Sequence, residues 1–264
     1  MKKIFFQGFS IVVLFFATWF ALRQVDWMAF FKVNQAKESL EEKLGDLFSE
    51  IFGKNELHSS NVTAPVDSIL TRICTENSID RDKIKLHIVE NDEVNAFALP
   101  DKHLVVFSGL ILAAQNEAEL AGVIGHELAH IQLDHVMKKL VKELGLSVLI
   151  SMTAGGGGEV IRETAKMLSS SAFDRELERE ADIKSVDYMT KADIRPEPFA
   201  DFLFRLSSEE SNISKTLTWI STHPESKERA EYIIAYSKTK KYTDKRVLSA
   251  ETWEGLKERL SDDQ

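Results

Sequence analysis

"GHELAHIQLDH", residues 125–135, sets two histidines and a glutamate into an otherwise apolar part of the chain. Leu120, Val123, Ile124, Leu128 and Ile131 recur at helical spacing, while Ala121, Gly122, Gly125, Ala129 and Leu133 leave the other side scarcely more polar. Such a helix is expected to be buried all round. An ionisable group buried without a partner is strongly destabilising or is forced neutral, so His126, Glu127 and His130 must meet something inside the protein. A divalent metal answers that need economically.

Residues four apart lie about 40° apart around a helix, so His126 and His130 can aim ring nitrogens at one point, as zinc requires. Glu127 stands beside that point, where its carboxylate can take a proton from the attacking water and pass it to a leaving amine, the part a glutamate plays in HExxH. His135 falls about 140–180° further round a straight helix and is read onto the far face or the helix end.

A catalytic zinc takes three protein ligands and keeps a fourth position open, so a further ligand is needed. "FDRELEREAD", 173–182, is a helical segment crowded with acids, in which Glu178 and Asp182 share a face. One carboxylate can reach the metal while Asp182 accepts from the ring N–H of a ligand histidine and fixes its tautomer. Glu176 and Glu180 remain alternatives to Glu178 on spacing alone.

The rest of the chain frames this site. Its 264 residues are 44% hydrophobic and suffice for one main domain. The net charge of −9, with no extended basic block, gives nucleic acid no docking surface. Cys74, the single cysteine, excludes an internal disulfide and a cysteine-based zinc cluster, and is read as a small buried hydrophobe.

Residues 4–22, "IFFQGFSIVVLFFATWFAL", form an uncharged run that as a helix spans roughly 28 Å, about the hydrocarbon thickness of a bilayer. Trp19, Phe20 and Leu22 crowd the place where a signal-peptide cleavage site would need small residues, so the run is read as a retained transmembrane helix. Lys2 and Lys3 before it place the N-terminus in the cytoplasm and the remainder on the extracytoplasmic, periplasmic side. Residues 1–23 are thus the membrane anchor and 24–64 an amphipathic connector and linker. The catalytic domain is assigned to 65–241 and a charged tail, patterned only by Trp253, Leu256 and Leu260, to 242–264.

Within the domain a helix is expected from Pro65 to about Asn77. The β-like runs "KIKLHIVE", "VNAFALP" and "HLVVFSG" suggest a small antiparallel sheet with an Asp101-Lys102 connection. Helices are expected over 110–142, 143–153, 159–171, 174–191, 197–209 and 225–238. The fold class is therefore α+β, predominantly helical. "GLSVLISMTA" and the following "GGGG", 155–158, are read as part of a lid over 145–172. His58, His87 and His103 are read as surface residues.

Taken together, "HELAH", the later "ELEREAD", the earlier "NAFALP" and the final "STHPESKERA" resemble the gluzincin metallopeptidase family that includes HtpX, BepA and the CAAX prenyl proteases, in particular its BepA/Oma-like branch with a soluble catalytic domain. The resemblance covers about residues 65–238. It implies a zincin-like metalloprotease fold, one zinc ion per chain, Glu178 as third ligand and Asp182 as the partner of a ligand histidine. It also implies that His223 lies near the zinc, stabilising the tetrahedral intermediate or regulating access, with Arg229 as the arginine that follows. Two departures stand out: Asp174 replaces the family's small hydroxyl residue, and Asp101-Lys102 replaces its Gly-Gly turn.

In that family a strand borders the cleft, and here Asn95, Ala96, Phe97 and Ala98 are the candidates to pair with an extended substrate through backbone hydrogen bonds. Such pairing suits unfolded or misassembled envelope proteins. The sequence is thus read as a membrane-anchored zinc metalloendopeptidase. The competing reading is a zinc-containing chaperone or assembly factor with little proteolysis, and a prenyl-protein protease is disfavoured by the single apolar span.

Overall fold

A computed structural model of the chain describes residues 42–43, 53–145, 163–164, 167, 172–209, 218–224 and 226–262. The expected transmembrane helix at 4–22, and nearly all of the connector helix and the 145–172 lid, lie outside the described residues. Among the described residues no helix is long and apolar enough to cross a membrane.

Three strands, β1 (Lys85–Val89), β2 (Ala96–Leu99) and β3 (His103–Phe107), form a sheet in the order β1-β3-β2. β2 and β3 pair antiparallel, but β1 and β3 pair parallel, so the sheet is mixed rather than antiparallel throughout. Residue alternation specifies which side chains share a face, not the direction of the neighbouring strand. Asp101 and Lys102 both adopt a left-handed φ of 59°, giving without glycine the backbone a tight turn demands. The hairpin they close sets β3 in the centre, where all five of its residues are buried. Leu104 and Val106 join the main core, while Val105 and Phe107 join a second cluster on the opposite face. Residues 55–57 cover the outer edge of β1, with Leu57 N donating to Ile88 O over 2.7 Å.

α1 (Ser60–Glu76) begins before Pro65, which sits within it, and buries Ile69, Leu70, Ile73 and Cys74. The helix expected over 110–142 is instead three: α2 (Ser108–Ala113), α3 (Glu117–Gln132) and α4 (His135–Leu144). The Asn116 side chain accepts from the N–H groups of Ala118 and Glu119, capping α3 at its start. Asp134, at φ 60°, breaks the chain between α3 and α4.

The remaining helices are α5 (Arg175–Lys191), α6 (Glu197–Glu209), α7 (Thr218–Thr222), α8 (Ser226–Ser237) and α9 (Ala250–Asp262). Residues 119–130 of α3 are all buried, as its composition demands, because α5, α6, α1 and β2 pack around it. A Cβ on Gly122 would stand 2.3 Å from Phe199 Cβ, and one on Gly125 would stand 2.7 Å from Ser185 Oγ. These glycines therefore set how closely α6 and α5 approach α3. α9, from the tail, packs on α1 and α2 and buries Trp253, Leu256 and Leu260.

Candidate active site

α3 delivers His126, Glu127 and His130 to one end of this core, α5 delivers Glu178 and Asp182, and the segment from α7 into α8 delivers His223 and Arg229. All seven side chains are buried. His126 Nε2 and His130 Nε2 lie 3.0 Å apart, and His223 Nδ1 lies 3.3 Å from His126 Nε2 and 2.9 Å from Glu178 Oε1. Donor atoms of His126, His130, Glu178 and His223 all fall within 4.8 Å of one another. Of the acids left open by spacing, Glu178 alone enters this group, and Glu176 and Glu180 are exposed.

Asp182 and Arg229 form the support. His126 Nδ1 stands 2.8 Å from Asp182 Oδ1, so the ring donates there and turns the lone pair of Nε2 toward the cluster. Arg229 donates to both carboxylate oxygens of Asp182 at 2.8 Å and to the carbonyl of His223 at 3.1 Å. Its Nη1 also lies 2.8 Å from Glu178 Oε2, but without hydrogen-bond alignment, leaving that buried oxygen with no hydrogen bond among the described residues.

Burial opposes ionisation of both acids, yet His223, Arg229 and His126 hold Glu178 well below the usual carboxylate range, and Arg229 and His126 hold Asp182 down to about 2. Burial keeps His130 and His223 below the usual imidazole value. Two ionised carboxylates therefore converge on one guanidinium, that of Arg229. A dication offsets the remaining negative charge and uses both the Nε2 lone pair and the orphaned oxygen, so the donor set fits a metal.

Glu127 is set apart. Ala98 N donates to its Oε2 over 3.0 Å, while Oε1 faces His223 Nε2 at 3.3 Å and receives Trp219 Nε1–H at 3.5 Å. Burial pushes its carboxyl up to about 7.

A scan against protein families matches this chain over residues 60–236 to Peptidase family M48. The chain belongs to peptidase family M48. It is 27% identical over 210 residues to the mitochondrial metalloendopeptidase OMA1 of Schizosaccharomyces pombe, covering 76% of this chain and 62% of that one. With the metalloprotease LoiP of Escherichia coli it shares 30% identity over 192 residues, 67% of this chain and 75% of LoiP. With the beta-barrel assembly-enhancing protease of Yersinia pestis it shares 25% over 179 residues, 62% of this chain but only 36% of the relative. The chain thus spans less than two thirds of the first and third of these M48 relatives.

Several residues of the M48 site escape sequence reasoning. His135 sits at a helix end, the start of α4, but it is buried there against the site, its Nδ1 3.0 Å from His130 Nδ1, because the break at Asp134 turns it back. The Phe173 ring stacks on His130 with centroids 4.1 Å apart, and Trp219 stacks on His223 at 4.6 Å. Tyr232 donates its hydroxyl to Asp182 Oδ2. Two of these carry a spacing signal: Trp219 precedes His223 by one helical turn, and Tyr232 follows Arg229 by three residues. His103 is a correction too, being 5% exposed rather than a surface residue, with Nδ1 2.8 Å from His87 Nε2; His87 is half-buried and its Nδ1 is 2.8 Å from Glu56 Oε1. His58 is exposed, as expected.

Proposed function

We propose that this chain is a membrane-anchored zinc metalloendopeptidase, with His126, His130 and Glu178 as the metal ligands and Glu127 as the general base. The observation that carries this reading is the convergence of four buried donor side chains with Glu127 beside them. Two imidazoles and a carboxylate form the ligand set of a catalytic zinc. Zinc, when bound, supplies a Lewis acid that polarises the scissile carbonyl and acidifies water.

The chain's own groups do the remainder. Oε2 of Glu127 is held by Ala98 N–H, so Oε1 is the atom that takes the proton of the attacking water and returns it to the leaving amine. Asp182 orients the His126 ring, and Arg229 holds Asp182 and the His223 carbonyl in place.

β2 is the substrate strand of this reading. Phe107 N donates to Asn95 O, and alternation along the antiparallel ladder then turns the polar groups of Ala96 and Ala98 to the outer edge, where the Ala98 N–H is taken by Glu127 and its C=O remains for substrate. Asn95 Oδ1 at the start of the strand is buried and has no hydrogen-bond partner among the described residues. The Phe97 ring packs edge-on against Phe107 and supports the strand. Pairing through backbone suits unfolded or misassembled polypeptides of the cell envelope, reached by a domain anchored through residues 4–22 on the extracytoplasmic side.

His223 fits as a fourth ligand that closes the site until substrate displaces it. One observation favours the rival chaperone reading: four converging side chains resemble a closed, structural zinc site as much as a latent catalytic one. Chelation tests the proposal. Removing zinc from the full-length protein should abolish cleavage of unfolded casein, and one equivalent of zinc should restore it; cleavage that persists in the metal-free protein would refute it.

A further inference from the structure

The two histidines of α3 are oriented differently. His126 Nδ1 donates directly to a carboxylate, Asp182, whereas the corresponding Nδ1 of His130 meets another ring. His130 Nδ1 lies 3.0 Å from His135 Nδ1, and His135 Nε2 lies 3.2 Å from Glu180 Oε2. The break at Asp134 starts α4 on His135 and sets that ring between His130 of α3 and Glu180 of α5.

We propose that His135 is a positioning residue, fixing the His130 ring for the metal through a relay that ends on Glu180. The proposal rests on the zinc-ligand role given to His130 above. A carboxylate accepts and does not donate, so His135 Nε2 carries the hydrogen directed at Glu180. A neutral His135 then offers only a lone pair at Nδ1, which obliges His130 Nδ1 to donate. The Nε2 of His130 is left bare and aimed at His126 Nε2 and Glu178 Oε1, 3.0 and 3.3 Å away.

The relay does for His130 what Asp182 does for His126, and it fixes the tautomer in which both α3 histidines present Nε2 to one ion. It also accounts for a buried imidazole that neither the proposed ligand set nor the proposed base uses. His135 is 0% exposed, while the Glu180 side chain at the end of the relay is 50% exposed. The outer member can therefore be replaced without disturbing the core.

The test measures zinc affinity of the full-length protein by chelator competition, together with the ring ¹⁵N spectrum of the zinc-loaded form. The Oδ1 of Asn can occupy the position of His Nδ1 and accept the same hydrogen, whereas Leu cannot. His135→Leu should weaken zinc binding about 10–100-fold and His135→Asn by no more than about threefold. The wild-type spectrum should place the His130 hydrogen on Nδ1. Equal losses in the two variants would reduce His135 to packing, and no loss in either would overturn the relay while leaving the zinc site intact. A wild type that takes up no zinc would overturn both. Should His135→Leu fail to fold, Glu180→Ala decides: the His135 Nε2–H signal should lose its single fixed form, and an unchanged spectrum would overturn the relay.

Discussion

The backbone N–H of Ala98 donates to Glu127 Oε2 over 3.0 Å, tying the edge of the sheet to the acid beside the four converging donor side chains. One oxygen of the proposed base is thereby committed to the strand on which substrate is proposed to lie. The other faces His223 Nε2 at 3.3 Å. In the proposed mechanism, substrate alignment and proton transfer thus share one short hydrogen-bonded link, with His223 at its far end.

If His223 closes the site, removing it should release activity. His223→Ala keeps His126, His130 and Glu178, so the variant should retain zinc. It should cleave unfolded casein about tenfold faster than wild type if the open state is a minor population. A rate that falls instead, with zinc retained, would assign His223 to the reacting groups.

Arg229 is buried between Asp182 and Glu178, and both carboxylates hold its guanidinium firmly protonated against the cost of burial. Arg229→Leu leaves two buried carboxylates uncompensated and should destabilise the metal-free protein by about 3–5 kcal/mol. Arg229→Lys should recover only part, since an ammonium lacks the two-pronged fork that spans Asp182. Urea unfolding measures both, and a loss under about 1 kcal/mol for Leu would contradict the support role.

His103 gives a pH dependence away from the proposed metal site. Burial pushes its ring down to about 4, with His87 and Lys85 acting in the same direction and Asp101 against. In the unfolded chain the ring titrates near 6.5, so below that pH the unfolded state takes up a proton that the folded state refuses. Stability is therefore unaffected by His103 above about pH 6.5 and falls as the pH drops toward 4. With solvent screening discounted, the loss by pH 5 is on the order of 1 kcal/mol, or about 2–4 °C in Tm. In His103→Asn, which keeps a donor toward His87, the Tm drop between pH 7.5 and 5 should be smaller by that amount. An identical drop in variant and wild type would contradict it.

What could be read from the sequence divides along physical lines. His126, Glu127 and His130 were legible because local periodicity fixes their face and an apolar setting makes their charges anomalous. Glu178 was not separable from Glu176 and Glu180 until α5 was docked, since spacing sets a face and not its neighbour. The parallel pairing of β1 was hidden because alternation carries no strand direction. The contact of His135 with His130 is hidden when α3 and α4 are taken as one straight helix. The signal was Asp134, a residue type that tolerates the left-handed conformation it adopts. His103 was misread because a central strand buries both faces, so a polar residue at its start is no evidence of exposure.

The most direct test of the central claim replaces Glu127 by Gln and measures zinc content and casein cleavage together, in wild type and again alongside His223→Ala. The account predicts one zinc per chain with or without the substitution, and cleavage reduced about 10²–10⁴-fold by Glu127→Gln. Cleavage that survives with zinc bound would show that Glu127 is not the base, and zinc lost with the substitution would place Glu127 among the ligands instead.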